Sequence, residues 1–271
     1  MPDKAQADLV KSAFGADGAA NFESKYHILT LPRSLADIAK DRKVTEEQLR
    51  KDLGAPLKKL FDARAKRARP FLDTKVLTSW NGQMIAGYAV AGRCLDQPMY
   101  TEAASRAADF VLKNLRSADG RLLRTYGAAP GGKPEARLKA YLDDYAYLVH
   151  GLLCLHDATG NQKWLDEARK LTDTMVALYA DGKYGGFFYT ANDHEKLFAR
   201  SKDQFDGAQP SGNSVAARNL VRLWLKTGDA TYRATAEKTF KAFAANLQTS
   251  PGSMTTMAEA LAMFLDGPAK K

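Results

Sequence analysis

Three polar stretches of this chain hold the residue types that could do chemistry: "SWNG" (79–82), "AYLDDYAY" (140–147) and "DGAQPSGNS" (206–214). The last two supply carboxylates. Two carboxylates facing one ligand can do acid–base work on a glycosidic bond or a sugar carbon, and Asp144 and Asp206 are the catalytic candidates. Trp80 and Tyr145 offer rings that would stack on a sugar face. Asn81, Asp143, Lys202, Ser211 and Asn213 offer donors and acceptors for hydroxyls, with Glu195 and Arg200 near them in the loops. A simpler reading stands beside this one. Asp, Asn and Ser at a helix start are also its natural N-caps.

Other chemistries find no support. There is no GxxxxGK[ST] phosphate loop, no GxSxG elbow and no CxxC pair. The four histidines form no metal-ligand pattern: His150 and His156 lie six apart on one helix, and His27 and His194 stand alone. His194, in "NDHEKL", is a loop histidine near the other polar residues. The two cysteines, Cys94 and Cys154, sit in apolar helical contexts and read as small buried hydrophobes. Neither a metal nor a cofactor is expected.

The elements that must hold these residues repeat. Trp80–Leu95, Tyr145–Ala158 and Ser214–Lys226 are apolar helical patterns. Each is followed by a tight turn ("DQPMY", "GNQKW", "GDATY") and a second helix, Tyr100–Leu115, Trp164–Tyr179 and Tyr232–Leu247. The first helix of each pair carries few charges, and the second is amphipathic, as in "WLDEARKLTDTMVAL". A nearly apolar helix backed by a half-polar one implies two concentric layers. The fold class is therefore all-α, an α/α toroid of helical hairpins. Long connections (Arg116–Ala140 and Ala180–Gly212) lead to the starts of inner helices, and their "RLLRTY" and "GGFFYT" segments read as short strands. Long loops in a compact domain are usually functional. All three polar stretches fall on the rim these loops build.

The chain reads as a single domain over residues 1–271. It has an irregular lead-in with a short helix (1–44), an outer-type helix (45–69), three hairpins and a final helix (78–265). Its net charge is +9, with many of the excess cations in Arg42–Arg69. That run is short, interleaved with acids, and reads as a helix with a basic last turn. Nucleic acid is not an expected partner. No apolar run approaches the ~18 residues of a membrane span. The first residues lack the apolar core of a signal peptide, so the cytoplasm is the expected location.

In order along the chain, "ARAKRARPFLDTKVLTSWNGQMIAGYA", "AYLDDYAYLVHGLL", "GGFFYT" and "DGAQPSGNSVAARNLVRL" resemble the C-terminal part of the spermatogenesis-associated, thioredoxin-domain-containing family. The resemblance implies a six-hairpin barrel similar to glycosidases and sugar epimerases, preceded by a thioredoxin-like domain. This sequence shows neither that domain nor enough hairpins for a ring of six. The expectation is a fragment, a split gene product or a shortened relative. A carbohydrate-active or carbohydrate-binding domain is implied, with a sugar or sugar-phosphate ligand. A thioredoxin-like domain or the missing barrel half would come from another chain. A non-enzymatic scaffold that binds a partner is the alternative.

Overall fold

In a computed structural model of the chain, residues 3–128, 132–195 and 198–268 are described. The chain divides into two compact units, Met1–Leu72 and Asp73–Lys271. In the first, helices α1 (Lys4–Ala13) and α2 (Leu35–Asp41) both pack on α3 (Glu46–Ala65). Val10, Ala13, Ile38, Ala39, Leu49 and Leu53 form its small core. Thr45 starts α3 by accepting a hydrogen bond from the Gln48 amide, the cap that a Thr with an open side-chain oxygen supplies.

The second unit carries the hairpins. After the short strand β1 (Val76–Leu77) come α4 (Thr78–Cys94) and α5 (Pro98–Asn114), then strands β2 (Leu123–Gly127) and β3 (Glu135–Lys139). The pairs α6 (Leu142–Thr159)–α7 (Gln162–Tyr179) and α8 (Gly212–Thr227)–α9 (Ala230–Ala242) follow, then α10 (Ala244–Thr249) and α11 (Thr255–Asp266). The turns explain the repeat. Gly160 and Gly228 end α6 and α8 in the left-handed region, and Asn161 and Asp229 next to them cap α7 and α9. A glycine C-cap followed at once by an Asn or Asp N-cap reverses the chain in two residues. In the first hairpin Asp96 takes the positive φ and Pro98 opens α5.

The layering follows the expected plan. Helix α4 packs on α6, α6 on α8 and α8 on α11, and α5, α7 and α9 back their own partners. Helix α6 is buried on nearly every side, whereas α7 buries one stripe that includes Trp164, Ala168, Leu171, Met175 and Tyr179. The α4–α6 crossing is close because it is built on glycine. A Cβ on Gly82 would lie 2.5 Å from the Tyr147 carbonyl carbon, and one on Gly151 would lie 2.7 Å from the Gly82 oxygen.

Three details differ from expectation. The "RLLRTY" segment is indeed a strand, the centre of an antiparallel sheet ordered β1-β2-β3 with Leu123 opposite Lys139 and Val76 opposite Tyr126. The "GGFFYT" segment makes only an isolated bridge, Ala180 to Phe187, because an asparagine side chain occupies its edge. The helix expected to run to Leu247 breaks at Phe243, whose buried ring packs over Gly186. Cys154 is buried as expected, but Cys94, at the last residue of α4, is exposed. Among the described residues, no helix is long and apolar enough to cross a membrane.

Candidate active site

The sheet positions the mouth. Strand β1 runs directly into α4, and β3 leads within three residues to α6. Thr78 donates to the Leu123 carbonyl at 2.6 Å, and Leu122 N donates to the Tyr145 hydroxyl at 3.0 Å. The starts of α4 and α6 are thus pinned to one strand. The start of α6 is also tied to the 185–190 segment, since Leu142 N donates to the Tyr189 carbonyl at 3.0 Å.

Most of the sequence candidates turn out to build this frame. Asp144 is fully buried. Its Oδ1 accepts from Ser79 N at 3.0 Å, and its Oδ2 accepts from Tyr141 N at 2.9 Å and from Arg124 at 3.3 Å. Burial pushes its carboxyl above the ordinary carboxylate range, and those donors offset only part of that rise. Asp206 accepts from Ser211 N at 2.9 Å and from Thr256 N at 2.7 Å, which ties the loop before α8 to the start of α11. Ser211 is the N-cap of α8, accepting from Ser214 N at 3.1 Å. Asn213 acts as a piece of strand: its Oδ1 accepts from Phe187 N at 2.7 Å, and its Nδ2 donates to the carbonyls of Phe187 and Asp203 at 2.9 and 2.8 Å. Lys202 donates to Asp181 at 2.7 Å and to the Gly185 carbonyl at 3.0 Å. Tyr145 lies in the core with its ring tilted against Tyr179, so no ligand can stack on it. Asn81 donates to the Leu77 carbonyl at 2.9 Å. Trp80 stays exposed.

Asp143 is different. It neighbours Asp144 on α6, yet its carboxylate makes no hydrogen bond among the described residues. It lines a cleft of about 80 Å³ together with Tyr189, Asp203, Phe205, Gln209 and Ser211. Burial, helped by the Asp144 charge, pushes its carboxyl up to about 6. Gly212 closes over it: a Cβ there would lie 2.4 Å from Asp143 Oδ1.

Tyr189 also borders a larger cavity of about 620 Å³, lined by Arg124, Lys139, Tyr141, Asp193 and His194 among others. Its floor is aromatic. Tyr141 and Tyr189 stack at 4.8 Å, the Arg124 guanidinium sits 4.9 Å over the Tyr141 ring, and His194 meets Tyr141 edge-on at 5.2 Å. Arg121 grips Asp193 at 2.6 and 2.9 Å, with Lys139 at 2.9 Å, which fixes the loop that presents His194. His194 Nε2 is buried without a partner among the described residues. Glu195 is exposed at this cavity, and Arg200 is occupied by the Thr190 carbonyl. Residues 196 and 197 of the same loop lie outside the described residues. Among those described, no group of His, Cys, Asp or Glu is placed to hold a metal ion. Arg124, Tyr141 and Tyr189 line this cavity but were not among the sequence candidates, since each belongs to a strand or loop whose neighbour only the tertiary fold supplies.

Inner helices backed by outer ones, with a polar and aromatic mouth at the inner helix starts, define an α/α toroid. The fold resembles family 105 glycoside hydrolase from C. acetobutylicum (TM-score 0.52, 13% identity, 81% of this chain and 63% of that one). It also resembles cellobiose 2-epimerase from Bacillus thermoamylovorans (TM-score 0.51, 15% identity, 63% and 45%). Such neighbours are carbohydrate-active α/α-barrel enzymes. No family model matches the chain. Its sequence is 38% identical over 240 residues to human spermatogenesis-associated protein 20, covering 87% of this chain. The matched segment belongs to the spermatogenesis-associated protein 20 family. The chain spans about 30% of the length of that human relative.

Proposed function

We propose that the mouth formed by the starts of α4, α6 and α8 binds a carbohydrate and that Asp143 is its proton-transfer group. The observation that carries this reading is Asp143 itself, a carboxyl without a hydrogen-bond donor, lifted to about 6 and set in a cleft. A group that titrates near the working pH both gives and takes a proton. Structural carboxylates in this chain, by contrast, are surrounded by donors. Asp203, exposed across the same cleft, is the second carboxylate. Tyr141 and Tyr189 offer an aromatic face for a sugar ring, and Arg124, Lys139 and His194 reach its polar groups. Asp144, Asp206, Ser211 and Asn213 are positioning residues: they hold Arg124, Tyr141 and Gly212 where the cleft needs them. Glycoside hydrolysis uses a pair of carboxylates and epimerisation at a sugar carbon needs proton transfer at that carbon, and the fold neighbours include both classes.

The test is a thermal-shift screen at pH 6 with neutral, amino and uronic sugars and their disaccharides, followed by turnover assays on any hit. A hit is expected to raise Tm, to perturb the Tyr141 and Tyr189 ring signals, and to lose turnover but keep binding in Asp143→Asn. A panel in which no sugar moves Tm or those rings overturns the proposal.

A second reading, a partner-binding domain, has one observation in its favour. Trp80 and Met84 stand one turn apart on α4 and are 63% and 58% exposed. Such a pair suits a further hairpin of the ring or a thioredoxin-like domain in another chain. Light scattering after size exclusion, with and without Trp80→Ser, checks it: a monomer in both cases leaves that pair without a self-partner.

A further inference from the structure

Seven residues beyond Asp143, α6 presents His150 to a second cavity, of about 180 Å³, bounded by α4, α6, α8 and α11. Its walls include Arg93, Cys154, Asp157, Arg218 and Arg222, and it shares no lining residue with the mouth. The hydrogen bonding here does not balance. Arg218 Nη2 lies 3.2 Å from His150 Nε2, and Arg222 Nη1 lies 3.0 Å from His150 Nδ1. A guanidinium only donates, and a neutral imidazole has one donor and one acceptor nitrogen. One of the two contacts is therefore a hydrogen bond, and in the other an N–H faces an N–H. Protonating the ring would remove its only acceptor. Burial and the two guanidinium groups oppose that, holding the imidazole well below its ordinary range, at about 3.

The donor surplus extends past the imidazole. Arg218 Nε is buried with no acceptor among the described residues. Among the described residues Arg222 Nη1 has, besides the ring, only the weak acceptor Cys154 Sγ at 3.6 Å. The nearby carboxylates are already engaged. Asp157 accepts from Arg222 Nη2 at 2.6 Å and pairs with Lys226, and Glu259, which meets Arg218 at 3.2 Å, is mostly exposed. Four cations (Arg93, Arg218, Arg222, Lys226) thus surround two carboxylates. Buried donors left without acceptors are costly, and a ligand made of acceptor oxygens removes that cost.

We propose that this cavity is an oxyanion site that takes the phosphoryl or carboxylate group of an acidic ligand between Arg218, Arg222 and the N–H of His150. Guanidinium forks match both oxyanions in geometry and charge. The size also fits. At about 30 Å³ per water, the cavity has room for roughly six water-sized groups, enough for the anion and a short stem. The site does not rest on the carbohydrate reading of the mouth.

The test titrates inorganic phosphate and glucuronate separately into the intact chain at fixed ionic strength, with chloride as reference, and follows the His150 ring by NMR. Saturable shifts and a raised His150 pKa are expected, and the tighter of the two ligands tells phosphoryl from carboxylate. Arg218→Gln is expected to weaken binding about tenfold or more, the loss of one charge-assisted hydrogen bond. In the unsubstituted chain, the bound anion should slow phenylglyoxal modification of Arg218 and Arg222 but not of exposed Arg50. Chloride reproducing the shifts, a folded Arg218→Gln binding as well as the parent, or unprotected arginines would each overturn the proposal. The labelling experiment decides alone if Arg218→Gln does not fold.

Discussion

Two sites on the same pair of inner helices have opposite characters. At the mouth, Asp143 on α6 is an acceptor without donors; two turns further along, about 10 Å by helix rise, His150 sits among donors without acceptors. Burial acts on both and moves them in opposite directions, Asp143 up to about 6 and His150 down to about 3. Desolvation always disfavours the charged form, so it holds a proton on a carboxyl and keeps one off an imidazole. The nearest charges reinforce each shift, Asp144 at the mouth and Arg218 and Arg222 below. The helices are rigid supports, and what differs along them is which hydrogen-bonding partner is missing. Asp144 supplies the control. It is adjacent to Asp143 and more deeply buried, but three donors surround it.

The comparison breaks first at Asp144. Asp144→Ala strands the buried Ser79 amide and the part-buried Tyr141 amide and leaves Arg124 without its carboxylate. A loss of about 3–5 kcal/mol is expected, measured by urea unfolding. A loss below about 1 kcal/mol would mean that Asp144 is as loosely held as Asp143. Asn213→Ala comes next. It removes three hydrogen bonds to the 187 and 203 backbone, and about 2–4 kcal/mol is expected from the groups left unpaired. Hydrogen exchange at the Phe187 amide should rise with it.

How much of this was readable in the sequence depends on the range of the interaction involved. The hairpins were, because their signals are local: "GNQKW" and "GDATY" hold a C-cap glycine beside an N-cap Asn or Asp, and the apolar periods mark the faces. The mouth was readable as a place, since the repeat puts "SWNG", "YLDDYA" and "PSGNS" at equivalent helix starts. The roles within it were not. Asp143 and Asp144 are adjacent and chemically identical, and the positions of Tyr141 N, Ser79 N and Arg124 separate the braced one from the free one. Asn213 likewise looks the same in sequence whether it binds a ligand or completes a strand edge. The His150 cluster draws on α6 and α8, 68 residues apart at the Arg218 contact, so no short motif could announce it.

A smaller change sharpens the comparison at its centre. Gly212→Ala puts a methyl where Asp143 Oδ1 already sits. About 1–3 kcal/mol of strain is expected, together with a displaced Asp143 whose pKa falls toward its ordinary value as it meets water. Direct titration of the Asp143 carboxyl by NMR checks this. An unchanged pKa would show that the carboxyl is not closed in by Gly212.

The smallest expected effect has the opposite sign. Asp143 has its pKa raised on folding, from 3.8 to about 6. In the window between those values the folded chain binds more protons than the unfolded one, so stability falls as pH rises through it. Its stabilising share is fully present below about pH 4 and lost above about pH 6. His150 has its pKa lowered, from 6.5 to about 3, and tilts the curve the other way: stability falls as pH drops from 6.5 toward 3. Asp143→Asn keeps the shape and removes the charge. It should stabilise the chain at pH 8 by about 1–2 kcal/mol, less than the roughly 3 kcal/mol that two pK units represent, because part of the carboxyl still meets water. Near pH 4 the two proteins should unfold alike. Urea midpoints across pH 4–8 decide the matter. A variant that is less stable at pH 8 would mean that Asp143 is braced like Asp144, and the contrast between the two neighbours would be gone.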